Sequence, residues 1–239
     1  MTASLRDIKV YTTYPHSCSY LEEQEAVTLF VDPKHTVDRS LYSSLSSLGF
    51  RRSGSHIYRP HCESCNACIP SRIPVADFRM SRGQRRTWNR NQDLVVEESA
   101  DITDDAAYDL YKLYIELRHK DGDMYPPVRD QYESFLNNPW ECTRYYRFYD
   151  QCDGKATLLA IAVADFLDDG QSAIYTFFDP TQAKRSLGNY TLLWQVENAR
   201  KMGLNYLYLG YWIKDCQKMS YKSSYRPLEL RINNCWTAV

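Results

Sequence analysis

The chain has 239 residues, of which 44% are hydrophobic and 25% are charged, enough for one large or two small domains with hydrophobic cores. Its longest apolar run, Leu158 to Ala164, is far shorter than the roughly 18 residues of a transmembrane helix, which excludes a helical membrane protein. The first residues lack the apolar segment of a signal peptide, so we expect a cytoplasmic location and cysteines that are thiols or ligands rather than disulfides. With 29 basic and 30 acidic residues, the net charge of −1 argues against a general polyanion binder.

The charged residues are segregated along the chain. Residues 72 to 90 contain six arginines against one acid, whereas residues 97 to 109 contain six carboxylates and no basic residue. Residues 184 to 231 contain nine lysines or arginines against three acids. Two positive segments in a neutral chain indicate a polyanion or carboxylate bound at a defined place, because guanidinium groups form bidentate bonds to both. Two solvated basic faces are the alternative interpretation.

Residues 1–100 are interpreted as a smaller N-terminal lobe, rich in cysteine and arginine. A helix is predicted over residues 40–48 and ends at Gly49, because glycine is typical of helix C-termini. The segments RSGSHIYRP and SRIPVADFRM are predicted to be extended, and the first delivers the cysteines that follow it.

Residues 101–239 are interpreted as a second lobe with regular elements. Thr103 is predicted to cap a helix, and a short helix follows over residues 130–137. The next elements are three strand-like runs (TRYYRFYD, TLLAIAVADFL and SAIYTFF), an amphipathic helix, the strand LNYLYLG, a polar helical segment and the strand LELRI. This order resembles that of GNAT acyltransferases. The predicted fold class is therefore α+β, with a GNAT-like acyltransferase lobe of antiparallel or mixed sheet and flanking helices following the smaller Cys-containing N-terminal lobe.

Three cysteines follow one another at C-x-x-C spacing in YRPHCESCNACIP. This spacing lets thiolates converge on one centre, as in zinc and iron-sulfur sites, and a fourth ligand would come from the cysteine in HSCSY or a nearby histidine. Half-buried free thiols are the alternative, since the sequence has no second C-x-x-C pair. The metal candidates are Cys18, Cys62, Cys65 and Cys68.

The amphipathic helix begins within KRSLGNY, where free backbone N–H groups, Lys184 and Arg185 would meet an anion. GNAT enzymes bind coenzyme A through R-x-x-G-x-[GA]. Here Gly188 matches, but Tyr190 stands at the last position, and its bulk disfavours that cofactor. An ordinary basic helix start is the alternative.

The chain contains 20 tyrosines, and several aromatic residues lie near basic residues toward the C-terminus. An aromatic face beside phosphate-binding cations is a common way to hold single-stranded nucleic acid, although core packing is the alternative. The aromatic candidates are Tyr211, Trp212 and Tyr225, and the basic residues beside them are Lys218, Lys222 and Arg226.

Two long blocks of the sequence resemble a known family. They are SLGFRRSGSHIYRPHCESCNACIPSRIPVADFRMSRGQRRTWNRN and IYTFFDPTQAKRSLGNYTLLWQVENARKMGLNYLYLGYWIKDCQKMSYKSSYRPLE. The resemblance is to the bacterial aspartate/glutamate leucyltransferases, relatives of the eukaryotic arginyl-tRNA–protein transferases. It implies a cytosolic enzyme of the N-degron pathway that transfers leucine from leucyl-tRNA to the α-amino group of proteins beginning with Asp or Glu, marking them for degradation.

The resemblance also suggests roles for the residues. An aminoacyl ester is already activated, so no cofactor is required for transfer, in keeping with the absence of a Walker loop from the sequence. The acceptor carboxylate is assigned to some of Arg72, Arg79, Arg82, Arg85 and Arg86, and the acceptor end of the tRNA to Lys184, Arg185, Lys218, Lys222 and Arg226. Proton transfer is assigned to Asp179, Tyr175 or His119.

Two other functions are compatible with parts of the sequence. A coenzyme A-dependent acyltransferase is supported by the order of elements and by RSLG. A nucleic-acid-binding module with a Cys-ligated zinc is supported by the arginine segment and by C-x-x-C-x-x-C.

Overall fold

The computed structural model describes residues 8–137, 141–151 and 154–239 and has a mixed α+β architecture. The helices are α1 (Arg39–Ser47), α2 (Arg82–Arg90), α3 (Asp105–Arg118), α4 (Arg129–Leu136) and α5 (Leu187–Lys201), with 3-10 turns at Pro180–Arg185 and Gln217–Ser224. The strands are β1 (Val10–Thr12), β2 (His16–Ser17), β3 (Glu25–Ala26), β4 (Thr28–Val31), β5 (Arg51–Ser53), β6 (His56–Pro60), β7 (Ile69–Pro74), β8 (Val95–Ser99), β9 (Thr143–Asp150), β10 (Thr157–Phe166), β11 (Gly170–Phe178), β12 (Tyr206–Trp212), β13 (Glu229–Ile232) and β14 (Cys235–Ala238).

The chain forms two compact units whose boundaries differ from the predicted division at residue 100. The first unit contains the described residues up to Arg79 together with Leu167–Ser172 and Leu204–Val239, and the second contains Met80–Phe166 and Ala173–Gly203. The difference arises because β12 and β13 both pair antiparallel with β7. Strand pairing between distant segments leaves no signal in the order of elements, so the sequence pattern did not reveal it.

The first unit contains three groups of paired strands. Their orders are β1-β4-β6-β5, β2-β3, and β14-β13-β7-β12 followed by the start of β11. Helix α1 begins after Asp38, whose side chain accepts a hydrogen bond from the Leu41 backbone N–H, and Gly49 follows the helix with φ of +90°. The prediction of a helix over residues 40–48 is therefore confirmed to within one residue.

The C-terminal part of the first unit differs from expectation. The polar segment predicted to be helical forms a 3-10 helix, Gln217–Ser224, rather than an α-helix, and the last predicted strand, β13, pairs with an unpredicted β14. Asn233 and Asn234 connect β13 to β14 with φ values of +51° and +64°. Two successive positive φ values are typical of a type I′ hairpin turn, for which asparagine is well suited.

The second unit contains the rest of β11 followed by β10, β9 and β8 in that order. Helix α3 packs Leu110, Tyr111 and Ile115 into a core shared with β9 to β11. The cap of α3 is Asp104 rather than Thr103, because the Asp104 carboxylate accepts from the Ala107 backbone N–H, whereas the Thr103 hydroxyl donates to Asp101.

Helix α2 was not predicted, because its sequence lacks an apolar stripe and none of its residues is fully buried. It begins with a capping box in which the Ser81 hydroxyl accepts from the Gln84 backbone N–H and the Gln84 side chain accepts from the Ser81 backbone N–H. The capping residues Ser81 and Gln84 indicate this helix in the sequence, whereas the hydrophobic pattern does not. Within the described ranges, no helix is both long and apolar enough to cross a membrane.

A bulge in β12 gives a testable constraint on the first unit. Gly210 lies there with φ of +77°, and a Cβ atom added to it would come within 2.9 Å of the Arg51 guanidinium. We expect Gly210→Ala to lower the free energy of unfolding by about 2 kcal/mol, from backbone strain and overpacking together. Urea denaturation measures the loss. Gly203→Ala is the matched control, because Gly203 has φ of +71° but no atom within 4 Å of the added Cβ. Equal losses in the two variants would contradict the role of Arg51.

Candidate functional site

The first unit contains a pocket of about 560 Å³. Its walls come from the segment around β2 and β3, the end of β6, the cysteine-rich loop before β7, and the β13–β14 turn. The volume is typical of sites that bind small molecules or single side chains. This pocket is the principal candidate site of the first unit.

All four cysteines proposed as metal ligands line this pocket, and all are half-buried free thiols. Burial, together with the neighbouring Cys18, Cys62 and Cys65, raises the pKa of the Cys68 thiol to about 12. Across the described ranges, however, no group of three or more Cys, His, Asp or Glu side chains is arranged to hold a metal ion. The residues as placed do not form a ligand set, and a metal centre stays a prediction.

Tyr211 and Lys222 belong to the interior of the first unit. The Tyr211 side chain lines the pocket, and its hydroxyl donates to the Gly49 carbonyl oxygen at 2.9 Å. The Lys222 side chain is only 4% exposed, and its Nζ donates to the Tyr211 carbonyl oxygen. Burial, together with the nearby charge of Arg51, lowers the pKa of Lys222 to about 7. Assigning Lys222 to tRNA phosphates was therefore wrong, because a buried amine cannot reach them.

Arg72 is also an interior residue and not an open carboxylate receptor. Its Nε donates to Glu229 Oε2 at 2.7 Å, and its Nη1 donates to the Tyr208 hydroxyl at 3.2 Å. The guanidinium carbon lies 3.4 Å from the Tyr206 ring centre and 4.3 Å from that of Trp236. The assignment of Arg72 to substrate is corrected, because its guanidinium already pairs with Glu229 and lies against the Tyr206 and Trp236 rings.

The remaining C-terminal candidates of the first unit divide between surface and core. Tyr225 is fully buried and stacks on Phe78 at 6.0 Å between ring centres, so it packs the core and does not present a face to bases. Trp212 is half-buried, and Lys218 is exposed. Arg226 is exposed, and its guanidinium donates to the Val239 carbonyl oxygen.

The other arginines of the 72–90 segment are exposed. Arg79 lies at the end of the first unit and donates to the carbonyl oxygens of Ala76 and Phe78. Helix α2 of the second unit exposes four arginines, Arg82, Arg85, Arg86 and Arg90. Of these, Arg90 donates to the carbonyl oxygen of Lys184, a residue whose own side chain is exposed. The second unit therefore has a basic surface along α2.

The residues at the start of α5 have mainly structural contacts. Arg185 Nη2 donates to Asp93 at 2.8 Å and to Asp150 at 2.8 Å, so its guanidinium is engaged inside the second unit. The Tyr190 ring is buried against Trp88 and Phe148. A Cβ at Gly188 would lie 3.0 Å from the Phe178 ring. The KRSLGNY segment therefore packs within the unit. Its Arg185 guanidinium is engaged by carboxylates and is not free to bind phosphate.

The three candidates for proton transfer lie in the second unit. Tyr114 contacts two of them, with ring centres 4.9 Å from His119 and 6.4 Å from Tyr175. Burial raises the pKa of Tyr175, so its hydroxyl stays protonated near neutral pH and is a weaker acid than a free phenol. Asp179 accepts from the Thr181 backbone N–H at 2.9 Å and from the Thr181 hydroxyl at 2.7 Å, which caps the 3-10 turn.

Two arginines of the pocket wall were missed by sequence reasoning. Arg59 in β6 and Arg231 in β13 both line the pocket. Arg59 lies outside both basic segments and Arg231 is the last residue of the second one, and charge clustering singled out neither. Their place at one pocket depends on the pairing of distant strands.

Family models match most of the chain. The model described as the arginine-tRNA-protein transferase N terminus matches residues 16–86, and the model described as the C terminus of the same enzyme matches residues 106–232. Among solved structures, FemX resembles the chain with a TM-score of 0.48 and 9% identity, over 90% of this chain and 82% of FemX. L-PGS from Bacillus licheniformis has a TM-score of 0.47 and 9% identity, over 62% of this chain and 47% of L-PGS. Both structural likenesses are too weak to carry an argument.

Curated relatives match over nearly their full length. The chain is 52% identical to the aspartate/glutamate leucyltransferase of Pseudomonas fluorescens (strain Pf0-1), over 98% of both chains. It is 53% identical to the protein of the same name from Saccharophagus degradans, over 97% of both chains. The identity to that of Teredinibacter turnerae is 52%, over 98% of this chain and 96% of the relative. With both terminal models matched and identity above half across the chain, the protein belongs to the arginine-tRNA-protein transferase family.

Proposed function

We propose that the protein transfers leucine from leucyl-tRNA to the α-amino group of proteins that begin with Asp or Glu, and that it does so in the cytoplasm, marking them for degradation. The observation that carries this proposal is the identity of 52% over 98% of both chains to a protein named aspartate/glutamate leucyltransferase. The first unit supplies a pocket for an acceptor residue, and the second supplies a basic helix for a polyanion.

The chemistry requires positioning more than activation. The acceptor amine attacks the ester carbonyl of leucyl-tRNA, a C–N bond forms, and the bond to the ribose oxygen breaks. The amine loses a proton, and the departing ribose hydroxyl gains one. Because the ester is already activated, the proposed reaction needs no cofactor.

The GNAT-like assignment of the acyltransferase elements is part of the proposal. The order β9, β10, β11, α5 and β12 is the one expected from the sequence, and β12 pairs in parallel with β11 from Gly170 to Ser172. That order and the parallel pairing support a GNAT-like arrangement of these elements.

A single transfer assay tests the proposed reaction. The protein is mixed with leucyl-tRNA carrying labelled leucine and with peptides that begin with Asp, Glu, Asn or Gln. The Asn and Gln peptides are matched controls for side-chain shape without charge. Label that enters the Asp and Glu peptides much faster than the Asn and Gln peptides supports the proposal, whereas transfer from labelled acetyl-coenzyme A, or from neither donor, would overturn it. Arginyl-tRNA in a parallel reaction tests the choice of leucine.

Proton transfer is proposed for Tyr175, His119 or Asp179. At saturating substrates, we expect the variant of the responsible residue to lose most of its kcat, because a positioned acid or base contributes about 10²-fold or more. The variants are Tyr175→Phe, His119→Ala and Asp179→Asn. A kcat close to that of the wild type excludes the residue concerned. Unfolding curves separate a chemical effect from loss of the Asp179 cap.

Arg82, Arg85 and Arg86, which the sequence assigned to the acceptor carboxylate, are exposed on α2 and do not line the pocket, so we reassign them to tRNA phosphates. We expect the triple variant Arg82→Gln/Arg85→Gln/Arg86→Gln to weaken leucyl-tRNA binding and to lower the slope of log K against log salt by about 2 to 3. Filter binding between low and moderate salt measures both. The control Lys34→Gln/Lys112→Gln/Lys120→Gln removes the same charge from exposed positions elsewhere. An equal change in the control would show only a general charge effect and would contradict the assignment to α2.

The cysteines are tested separately from the reaction. A zinc or iron-sulfur centre at Cys18, Cys62, Cys65 and Cys68 predicts stoichiometric zinc or iron in protein purified without oxygen, and its loss in Cys65→Ser. Protein free of both metals would reject the centre. Full transfer activity after chelation would support a reaction without a cofactor.

A further inference from the structure

The pocket of the first unit has an excess of positive charge on its wall. Arg59 and Arg231 line it, and the carboxylate among the lining residues is that of Glu25. Arg59 comes from β6 and Arg231 from β13, which belong to different groups of paired strands in this unit. The fold thus brings two guanidinium groups to one cavity.

Neither guanidinium is neutralised by an ion pair within the described residues. The Arg59 side chain stacks on Phe50 at 5.1 Å from the ring centre, and its Nε is buried without a hydrogen-bond acceptor. Arg231 Nη1 donates to the Asn234 side-chain oxygen at 3.0 Å. Burial lowers the pKa of Arg231, and the nearby positive charge of Arg59 lowers it further.

Two neighbouring cations on a pocket wall repel each other, and a buried N–H without an acceptor is costly. An anion between them relieves both penalties. A carboxylate suits the geometry because it accepts bidentate bonds from guanidinium groups. By contrast, the other arginine-rich candidates are engaged internally, as with Arg72, or lie on the exposed face of α2 in the other unit.

We propose that Arg59 and Arg231 bind the side-chain carboxylate of the acceptor's N-terminal Asp or Glu in this pocket. The inference rests on the proposed function, since that reaction supplies the acidic acceptor. It transfers the carboxylate-binding role from the 72–90 segment to two residues outside it. The pair then sets the specificity for acidic over neutral N-terminal residues.

The test compares transfer to an Asp peptide and to its Asn counterpart by wild type, Arg59→Met and Arg231→Met. Methionine removes the charge and keeps most of the side-chain length. We expect KM for the Asp peptide to rise about tenfold to a hundredfold in each variant, since hydrogen bonds to charged groups have that strength. We expect kcat and the KM for leucyl-tRNA to stay close to wild type.

The ratio of kcat/KM for the Asp peptide to kcat/KM for the Asn peptide is the decisive readout, because it does not depend on the folded fraction. It should fall about tenfold to a hundredfold in both variants and be retained in Arg39→Met, a control that removes an arginine from α1 outside the pocket lining. If the wild type transfers leucine and both variants keep the wild-type ratio of kcat/KM values, this inference is overturned and the proposed function stands. If the wild type transfers no leucine, the proposed function falls and the inference falls with it.

Discussion

Arg72→Met is expected to lower the free energy of unfolding by about 3 kcal/mol, a large fraction of the stability of an ordinary domain. The Arg72 side chain is 9% exposed and its partner Glu229 is 20% exposed, so the variant leaves a half-buried carboxylate without its cation. It also removes the guanidinium from between the Tyr206 and Trp236 rings. Urea denaturation followed by tryptophan fluorescence measures the change.

Arg129→Met is the matched control for Arg72. Arg129 also faces two carboxylates, Asp105 and Glu133, but its side chain is 39% exposed. We expect a much smaller loss there, because solvent screens exposed ion pairs. The double variant Arg72→Met/Glu229→Gln should lose less than the sum of the single variants, since neutral glutamine is not left as an unpaired charge. Similar losses for Arg72→Met and Arg129→Met would contradict the interior role of Arg72.

The second large effect concerns the pH dependence of stability. Burial lowers the pKa of Lys222 to about 7, whereas an unfolded lysine has a pKa of about 10.4. Between these values the unfolded chain binds more protons than the folded one, so stability rises with pH. Below pH 7 the amine is charged in both states and the full penalty is present. From pH 7 to 9 the expected gain from Lys222 is about 2 to 3 kcal/mol.

Lys222→Met isolates this contribution. The variant should lack the rise between pH 7 and 9, so the difference in unfolding free energy between wild type and variant should change across that range. Cys68 acts in the opposite direction above about pH 8.5, because its pKa is raised to about 12 in the folded state and the unfolded thiol ionises first. Since both proteins contain Cys68, its effect cancels in the comparison. Parallel stability curves would reject a neutral buried Lys222.

Much of the regular structure was predictable from short-range patterns. The helix ending before Gly49, the three strands β9 to β11 and the amphipathic α5 all occur where periodicity and capping residues indicated them. Errors arose where the signal was absent or ambiguous. Helix α2 lacks an apolar stripe, and the α3 cap fell on Asp104 because adjacent Thr103 and Asp104 are both suitable cap residues.

The candidate site was predicted less completely than the fold. The three thiols of the cysteine-rich loop all border the pocket, but their C-x-x-C spacing does not bring them into a ligand set among the described residues. Charge density, however, pointed to Arg72 and Lys222, which the fold buries and pairs internally. It passed over Arg59, which lies outside both basic segments, and Arg231, which is the last residue of the second one. Residue type shows which chemistry is available, but burial determines whether a ligand reaches it.

The amino-acid sequence by itself determined the family, through long blocks of matching residues, and the local elements, through caps, periodicity and turn residues. These features depend on neighbours within a few positions, where side-chain and backbone geometry act directly. Only the tertiary structure decided that β12 and β13 join β7, that Arg72 is held between aromatic rings, and that Arg59 meets Arg231 at one pocket. Those outcomes depend on contacts between distant segments. Strand pairing and burial bring together charged residues that lie far apart in the sequence.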